Sequence, residues 1–314
     1  MKMPELKIAH MKPKWPIIQG GMGVGISLSN LASAVSNAGG IGIISGTGLP
    51  VDELRSHIRK AREKTQGAGY IGVNCLYAMS DFAVTMKAAL EEKVDFIISG
   101  AGISRDMYNW GKAYDTPVIS IVSSAKLAKM SEKLGAAAVV VEGNEAGGHL
   151  GTEEPLFDLL PEIAEAVDIP VIAAGGITSG TDVKRALDCG ASGVQMGTRF
   201  AASSECDASQ SFKEKIIQAK ETVLMDSVVG LKGRAIANNF TESIKGDAKL
   251  PINKCVSCLK KCSHQYCIYQ ALLSSMNGDT DNGLVFSGAG VERVNTIKSV
   301  QEIFLDLQNE IAYS

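Results

Sequence analysis

The chain has 314 residues, 45% of them hydrophobic and 21% charged, with a formal charge of −3; this is an ordinary globular balance with ample apolar surface to bury. A net acidic chain with 5% aromatic residues excludes a general attraction to nucleic acid or anionic membranes and a base-stacking platform for single strands. The opening MKMPELKIAH lacks a basic-then-apolar secretory pattern, and no apolar run approaches the roughly 20 residues needed to cross a bilayer. The expectation is a cytoplasmic protein that works on a small-molecule substrate, with a homodimer as the open possibility for assembly.

Taken in order, short apolar runs recur through the first 200 residues: Trp15–Gln19, Ile41–Ser45, Tyr70–Asn74, Phe96–Ser99, Pro117–Ile121, Ala138–Glu142, Pro170–Ala174 and Gly193–Met196. Each is short enough for a strand buried on both faces. Between them lie segments with apolar residues at helical spacing. Leu28, Leu31, Ala32 and Val35 follow a Ser27 cap and stop at Gly39-Gly40; Val51, Leu54, Ile58 and Ala61 form a second set, and Leu156, Leu159, Ile163 and Ala166 a later one. Eight strand–helix repeats predict an α/β fold of the (β/α)8 TIM barrel kind.

After the eighth strand the alternation fails. A lysine-rich helical stretch around Phe212–Thr222, the glycine-punctuated Gly230–Gly233 and a cysteine cluster follow. They predict a small, mostly helical lobe over residues 206–282, inserted before the last helix. The barrel then comprises 1–205, completed by 283–314, with Gly283–Gly290 as a loop and Val300, Ile303, Phe304 and Leu307 on the final helix.

Chemistry concentrates at the strand ends. The sixth run gives way to Glu142-Gly-Asn-Glu-Ala-Gly-Gly-His149, a segment too polar and too rich in glycine to be packing, placed where a parallel α/β fold keeps its reacting groups. Ala174-Gly-Gly176 and Gly197-Thr198 end the seventh and eighth strands, where barrels cradle phosphate on exposed backbone N–H groups. The helix after Thr178-Ser-Gly180 is expected to aim its positive end at the same anion. Gln19–Gly25 has the glycine spacing of a phosphate loop without the lysine and hydroxyl of a triphosphatase. Met22 offers a soft apolar surface to a flat ring, and Asn74 an amide that both donates and accepts.

In combination, Gln19-Gly-Gly-Met22, Gly72-Val-Asn74, Glu142-Gly143 with Glu145–His149, Ala173–Gly176 and Gln195–Phe200 resemble the 2-nitropropane dioxygenase-like flavoproteins. That family contains nitronate monooxygenases and FMN-dependent enoyl-ACP reductases. The resemblance implies FMN across the barrel mouth, with Gly21, Met22 and Asn74 near its ring and Gly175, Gly176, Gly197 and Thr198 at its phosphate. Glu142, Gly148, Ala174, Gln195 and Met196 complete the implied cofactor contacts. His149 matches the family's active-site histidine. The activity implied first is oxidation of alkyl nitronates with O2 to carbonyl compounds and nitrite; the alternative is NAD(P)H-dependent enoyl-ACP reduction in fatty-acid synthesis. A flavin or phosphate-ligand sensor, or a flavin-free barrel enzyme acting on a phosphorylated metabolite, are the readings from other classes. The family's late-loop glutamine is replaced by Ser287-Gly-Ala-Gly290.

Cys255, Cys258, Cys262 and Cys267 stand in a C-x2-C-x3-C-x4-C pattern with His264 inside it. Four thiolates in so short a span suit zinc or an iron–sulfur cluster, although the spacing is neither a zinc-finger nor a ferredoxin pattern. Reduced structural thiols and disulfides are the alternatives.

Overall fold

In a computed structural model, which describes residues 3–246 and 248–313, every apolar run named above forms a strand. The strands are β1 (Ile17–Gln19), β2 (Ile41–Ser45), β3 (Tyr70–Asn74), β4 (Phe96–Ser99), β5 (Val118–Val122) and β6 (Ala138–Glu142), then β7 (Gly148–Leu150), β8 (Val171–Ala174) and β9 (Gly193–Met196). All but β7 close a parallel barrel in the order β1-β2-β3-β4-β5-β6-β8-β9, with β9 returning to β1 through Ile17 opposite Val194 and Gln19 opposite Met196. The barrel starts fall just after Pro16, Pro117 and Pro170, because proline brings no N–H to a ladder.

Alternation along each strand divides the core into layers. Ile18, Ile41, Ile43, Ile98, Ile119, Val140 and Ile172 fill the barrel interior, and Leu6, Ile8 and Met11 from the N-terminal segment pack with them. The intervening residues, such as Ile44, Ile97, Val139, Val141 and Val194, face the helices instead. The helix Val300–Tyr313 docks where its pattern predicts: Val300, Ile303, Phe304 and Leu307 are buried, and the Phe304 ring lies 5.9 Å from that of Phe200. Among the described residues no helix is long and apolar enough to cross a membrane.

The segment after β9 differs from the expected lobe. It holds helices at Gln210–Gln218, Asn239–Ser243 and Ile268–Met276, but also an antiparallel hairpin of β10 (Thr222–Asp226) and β11 (Lys232–Ile236). The hairpin turns at Gly230, whose φ of +81° suits a residue without a Cβ. A helical reading missed it because Leu224 is exposed beside Val223, which erases the alternation that marks a half-buried strand. β11 in turn pairs with β7, setting Gly233 opposite His149. The loop expected after β6 is thus a strand, and its ladder belongs to the hairpin rather than to the barrel. A separate cluster around Val228, Phe240, Tyr266, Ile268 and Leu284 packs this part of the chain.

Candidate active site

The C-terminal ends of the barrel strands, β7, Leu272 of the helix Ile268–Met276 and the loop around Phe286–Gly290 enclose a cavity of ≈ 250 Å³. On the β1 side the lining loop is held from behind by Gln19, which is fully buried. Its amide donates to Ser27 Oγ at 2.8 Å and accepts the Ile43 N–H at 3.1 Å. Ser27 then gathers the glycine loop, donating to the Gly20 carbonyl at 3.0 Å and accepting the Met22 N–H at 3.0 Å. Asn74 closes the arrangement by donating from Nδ2 to the Gly21 carbonyl at 2.8 Å. Gly21 is required there, since a Cβ would stand 2.4 Å from the Asn74 Cβ.

Across the cavity, Ala174, Gly175 and Gly176 continue from β8, and Gln195, Gly197 and Thr198 from β9. The Gly288 N–H donates to Thr198 Oγ1 at 2.9 Å, and the Ala289 N–H to the Glu145 carbonyl at 2.9 Å, so the late loop is tied to both rims. Asn74 Oδ1 and Gln195 Oε1 are buried acceptors without a hydrogen-bond partner. Both residues line this cavity. A buried acceptor left unmatched costs about 1–3 kcal/mol, so two around one cavity mark a place for an external donor.

His149 and Glu142 complete the lining. His149 donates or accepts through Nε2 at 2.8 Å from Ser227 Oγ, and its ring meets Phe286 edge-on at 5.3 Å. Burial holds the imidazole at about 4, well below its ordinary value, so it is neutral at physiological pH. Burial pushes the Glu142 carboxyl up to about 8, so it keeps its proton under the same conditions. Arg234, the nearest cation on β11, is turned away to the Asn144 carbonyl, at 3.0 Å from Nη2 and 3.1 Å from Nε. The site therefore pairs an uncharged base with an uncharged acid inside an apolar wall that includes Ile26, Leu76, Ile121 and Leu272.

Gly21, Met22, Asn74, Glu142, Gly148, His149, Ala174, Gly175, Gly176, Gln195, Gly197 and Thr198 are thus brought around one cavity. Met196 is not among them. It lies buried in the layer between barrel and helices, because alternation on β9 turns it away from the face that shows Gln195.

The helix Gly180–Asp188 also departs from expectation. Its N-terminal donors are taken by the protein's own carboxylates: Asp182 Oδ2 accepts from Thr178 N–H at 2.9 Å and Ser179 N–H at 3.0 Å, and Glu310 accepts from Gly180. Arg293 pairs with Asp182 at 2.8 Å. The helix end is closed as a capping box, with the Thr178, Ser179, Gly180 and Asp182 N–H groups taken by the protein's own side chains.

The structure lends no support to a metal at the cysteine cluster. Among the described residues, no group of three or more His, Cys, Asp or Glu side chains is arranged to hold an ion. Cys258 packs against the core that includes Met79 and Phe82 and Cys262 against the core around Tyr266; burial, and then the neighbouring thiols of Cys267, Cys262 and Cys255, push the Cys258 thiol up. Cys255 and Cys262 accept N–H bonds from Ser257 and His264, each at 3.4 Å, and all four thiols are free. The segment serves instead as a strap: Ser80 N–H donates to the Cys258 carbonyl at 2.9 Å and Lys260 N–H to that of Ala78 at 2.9 Å, tying it to the loop after β3.

The nitronate monooxygenase family model matches residues 4–89 and 71–310. The chain belongs to that family. A probable nitronate monooxygenase of Staphylococcus aureus is 32% identical over 278 residues, covering 74% of this chain and 78% of that protein. A (3aS,4S,5R,7aS)-5-hydroxy-7a-methyl-1-oxo-octahydro-1H-indene-4-carboxyl-CoA dehydrogenase of Rhodococcus jostii is 33% identical over 232 residues, covering 73% of this chain. That match spans 65% of the dehydrogenase, just under two thirds of its length. Among solved structures, FabK from Thermotoga maritima superposes with a TM-score of 0.84 at 34% identity, over 96% of this chain and 94% of that one. A nitroalkane oxidase from Streptomyces ansochromogenes shares the fold, with a TM-score of 0.82 at 23% identity over 96% of each chain. These family relatives are oxidoreductases by name, and the (β/α)8 barrel is common ground.

Proposed function

We propose that this family member is an FMN-dependent oxidoreductase of the nitronate monooxygenase type, converting alkyl nitronates with O2 into carbonyl compounds and nitrite. The observation that carries the reading is the meeting, in one cavity, of glycine-bearing strand ends, two unmatched buried acceptors and a neutral histidine. The residues present fit FMN. Asn74 Oδ1 and Gln195 Oε1 await donors of the kind a flavin ring and ribityl chain carry, and the Gly175-Gly176 and Gly197-Thr198 backbone can hold the phosphate. Gly21, Met22 and Asn74 then border the ring, with Glu142, Gly148 and Ala174 beside them.

When bound, FMN supplies the electron chemistry; the chain supplies binding, orientation and proton handling. The apolar lining excludes water, which strengthens each polar contact to an anionic substrate. Glu142, holding its proton near neutral pH, donates a hydrogen bond without placing a second negative charge beside a nitronate. His149, uncharged, is free to take a proton at its second ring nitrogen, a role worth roughly 10²- to 10⁴-fold in rate.

A second reading is NAD(P)H-dependent enoyl-ACP reduction with the same FMN, favoured by the likeness to FabK over nearly the whole chain. Anaerobic mixing distinguishes the two. Bleaching of the flavin by a nitronate but not by NADH or NADPH supports nitronate oxidation; bleaching by a reduced nicotinamide alone supports enoyl reduction; a colourless protein refutes both.

A further inference from the structure

The cavity has two unlike ends. In the closed barrel, β8 and β9, which bring the glycine-bearing rim, stand opposite β3 and β4. Past Asn74, the side from β3 to β5 carries Leu76, Gly100, Ala101 and Ile121, and Leu272 joins them from the helix Ile268–Met276. Leu76, Ile121 and Leu272 each pack on a different core with one side and stay only half-buried. Gly100 helps to leave that surface open, since a Cβ there would stand 3.0 Å from Ile121 Cδ1. The nearby hydroxyl of Thr47 accepts the Leu76 N–H at 3.0 Å. Among the described residues that line the cavity, none is a lysine or an arginine.

The cysteine strap holds this end together from outside. Tyr77, next to Leu76, donates its N–H to the Gly100 carbonyl at 3.1 Å, and its ring occupies the space beside Gly102, where a Cβ would stand 2.5 Å from Tyr77 Cδ1. Lys260 of the strap fastens the same tyrosine twice: Nζ donates to the Tyr77 carbonyl at 2.6 Å and lies 3.8 Å from the centre of its ring, with the Phe82 ring at 5.0 Å. Ser80 Oγ donates to the Ser257 carbonyl at 2.7 Å, beside the two backbone bonds already described. The far end of the strap is Cys267, the N-cap of the helix that carries Leu272. One segment thus joins the two apolar walls, Leu76 on the barrel and Leu272 on the lobe.

We propose that this end is a subsite for an uncharged hydrocarbon tail of the substrate, and that Lys260 is its positioning residue, pinning the Leu76 wall through Tyr77. Uncovered apolar surface inside a cavity is what a hydrocarbon gains by covering. A tail ending in a carboxylate would lose its water there and meet no cation. The turn that carries Leu76 has no ladder of its own, so a wall fixed in advance by Lys260 spares the substrate the cost of ordering it. The subsite acts on binding alone, and no bond is made or broken at it.

The inference rests on the reading of this cavity as the substrate site, and a ligand that does not turn over separates the two. Calorimetric titration of the purified protein with butanamide, hexanamide and octanamide is expected to show Kd falling by about 4-fold per added CH2. The eight-carbon amide that ends in a carboxylate is expected to bind at least about 10-fold more weakly than octanamide. Lys260→Met, which keeps the stem and removes the ammonium, is expected to leave butanamide binding within about 2-fold and to cut the gain per CH2 to about 2-fold or less. Lys260→Arg, which keeps a cation over the ring, retains the wild-type gain. Leu272→Trp, which fills the end from the lobe side, abolishes it. A flat series in the wild type, or equal binding of the carboxylate-ended amide, overturns the subsite; the full gain in Lys260→Met overturns the role of the lysine. Chain-length dependence in a protein whose flavin no nitronate bleaches leaves the subsite standing and removes the nitronate reading, whereas bleaching by nitronates with a flat series does the reverse.

Discussion

At the scale of single residues the cavity is governed by two groups that burial has made neutral. His149→Ala is expected to keep its flavin absorbance and lose turnover by about 10²- to 10⁴-fold; full kcat/KM in that variant removes the assignment. Glu142 makes a prediction about stability. Folded, its carboxyl holds its proton up to about pH 8, against an ordinary value of 4.5. The stability this group contributes is whole below pH 4.5 and is lost as pH rises through 8, at about 1.4 kcal/mol per unit of difference. Glu142→Gln removes this ionisation from both states, so in the flavin-free protein its Tm is expected to fall by several degrees less than that of the wild type between pH 6.5 and pH 8, a window above the one in which His149 contributes. Parallel declines in the two proteins would show that Glu142 ionises freely when folded. His149 and Glu142 were legible in the sequence because polar side chains after a buried valine run have no packing role. Ser227 was not, since it lies 78 positions from the ring it holds, and nothing in a lone serine marks a long-range partner. Met196 was misplaced although strand alternation, applied to Gln195 and Met196 in turn, separates the residue that faces the cavity from the one that faces the helices.

Among elements, the strand ends carry the binding proposal and the helix caps carry stability. Gly176 has a φ of +69°, and a Cβ there would lie 3.1 Å from Glu145. Gly176→Val combines backbone strain of roughly 1–2 kcal/mol with a side chain in the phosphate cradle. It is expected to yield folded but colourless protein; normal flavin absorbance would place the phosphate elsewhere. Asp182 serves its helix rather than a ligand. Asp182→Ala, losing the capping box and the Arg293 pair, is expected to lower stability by about 1–2 kcal/mol with flavin content unchanged. Loss of flavin in that variant would return the helix end to the site. The eight barrel strands were legible because runs buried on both faces need no alternation to be seen. β7 was hidden for the opposite reason: three residues containing a glycine and a histidine have no strand pattern of their own, and only pairing with β11 makes them one.

For the whole molecule, repetition made the architecture readable and packing decided the remainder. Eight strand–helix units point to closure whatever the individual side chains, whereas the cysteine segment is placed by packing, with Cys258 against one core and Cys262 against another. The cysteine segment runs as a strap from the Tyr266 core to the loop after β3. The antiparallel pairing of β7 with β11 has a consequence for biosynthesis. When the ribosome has delivered all eight barrel strands, the histidine strand still has no neighbour to pair with, and the serine hydrogen-bonded to its ring is not yet made. The histidine side of the cavity takes its final form only after the hairpin has emerged and folded back onto β7, and the barrel's outer layer closes later still, with the helix Val300–Tyr313.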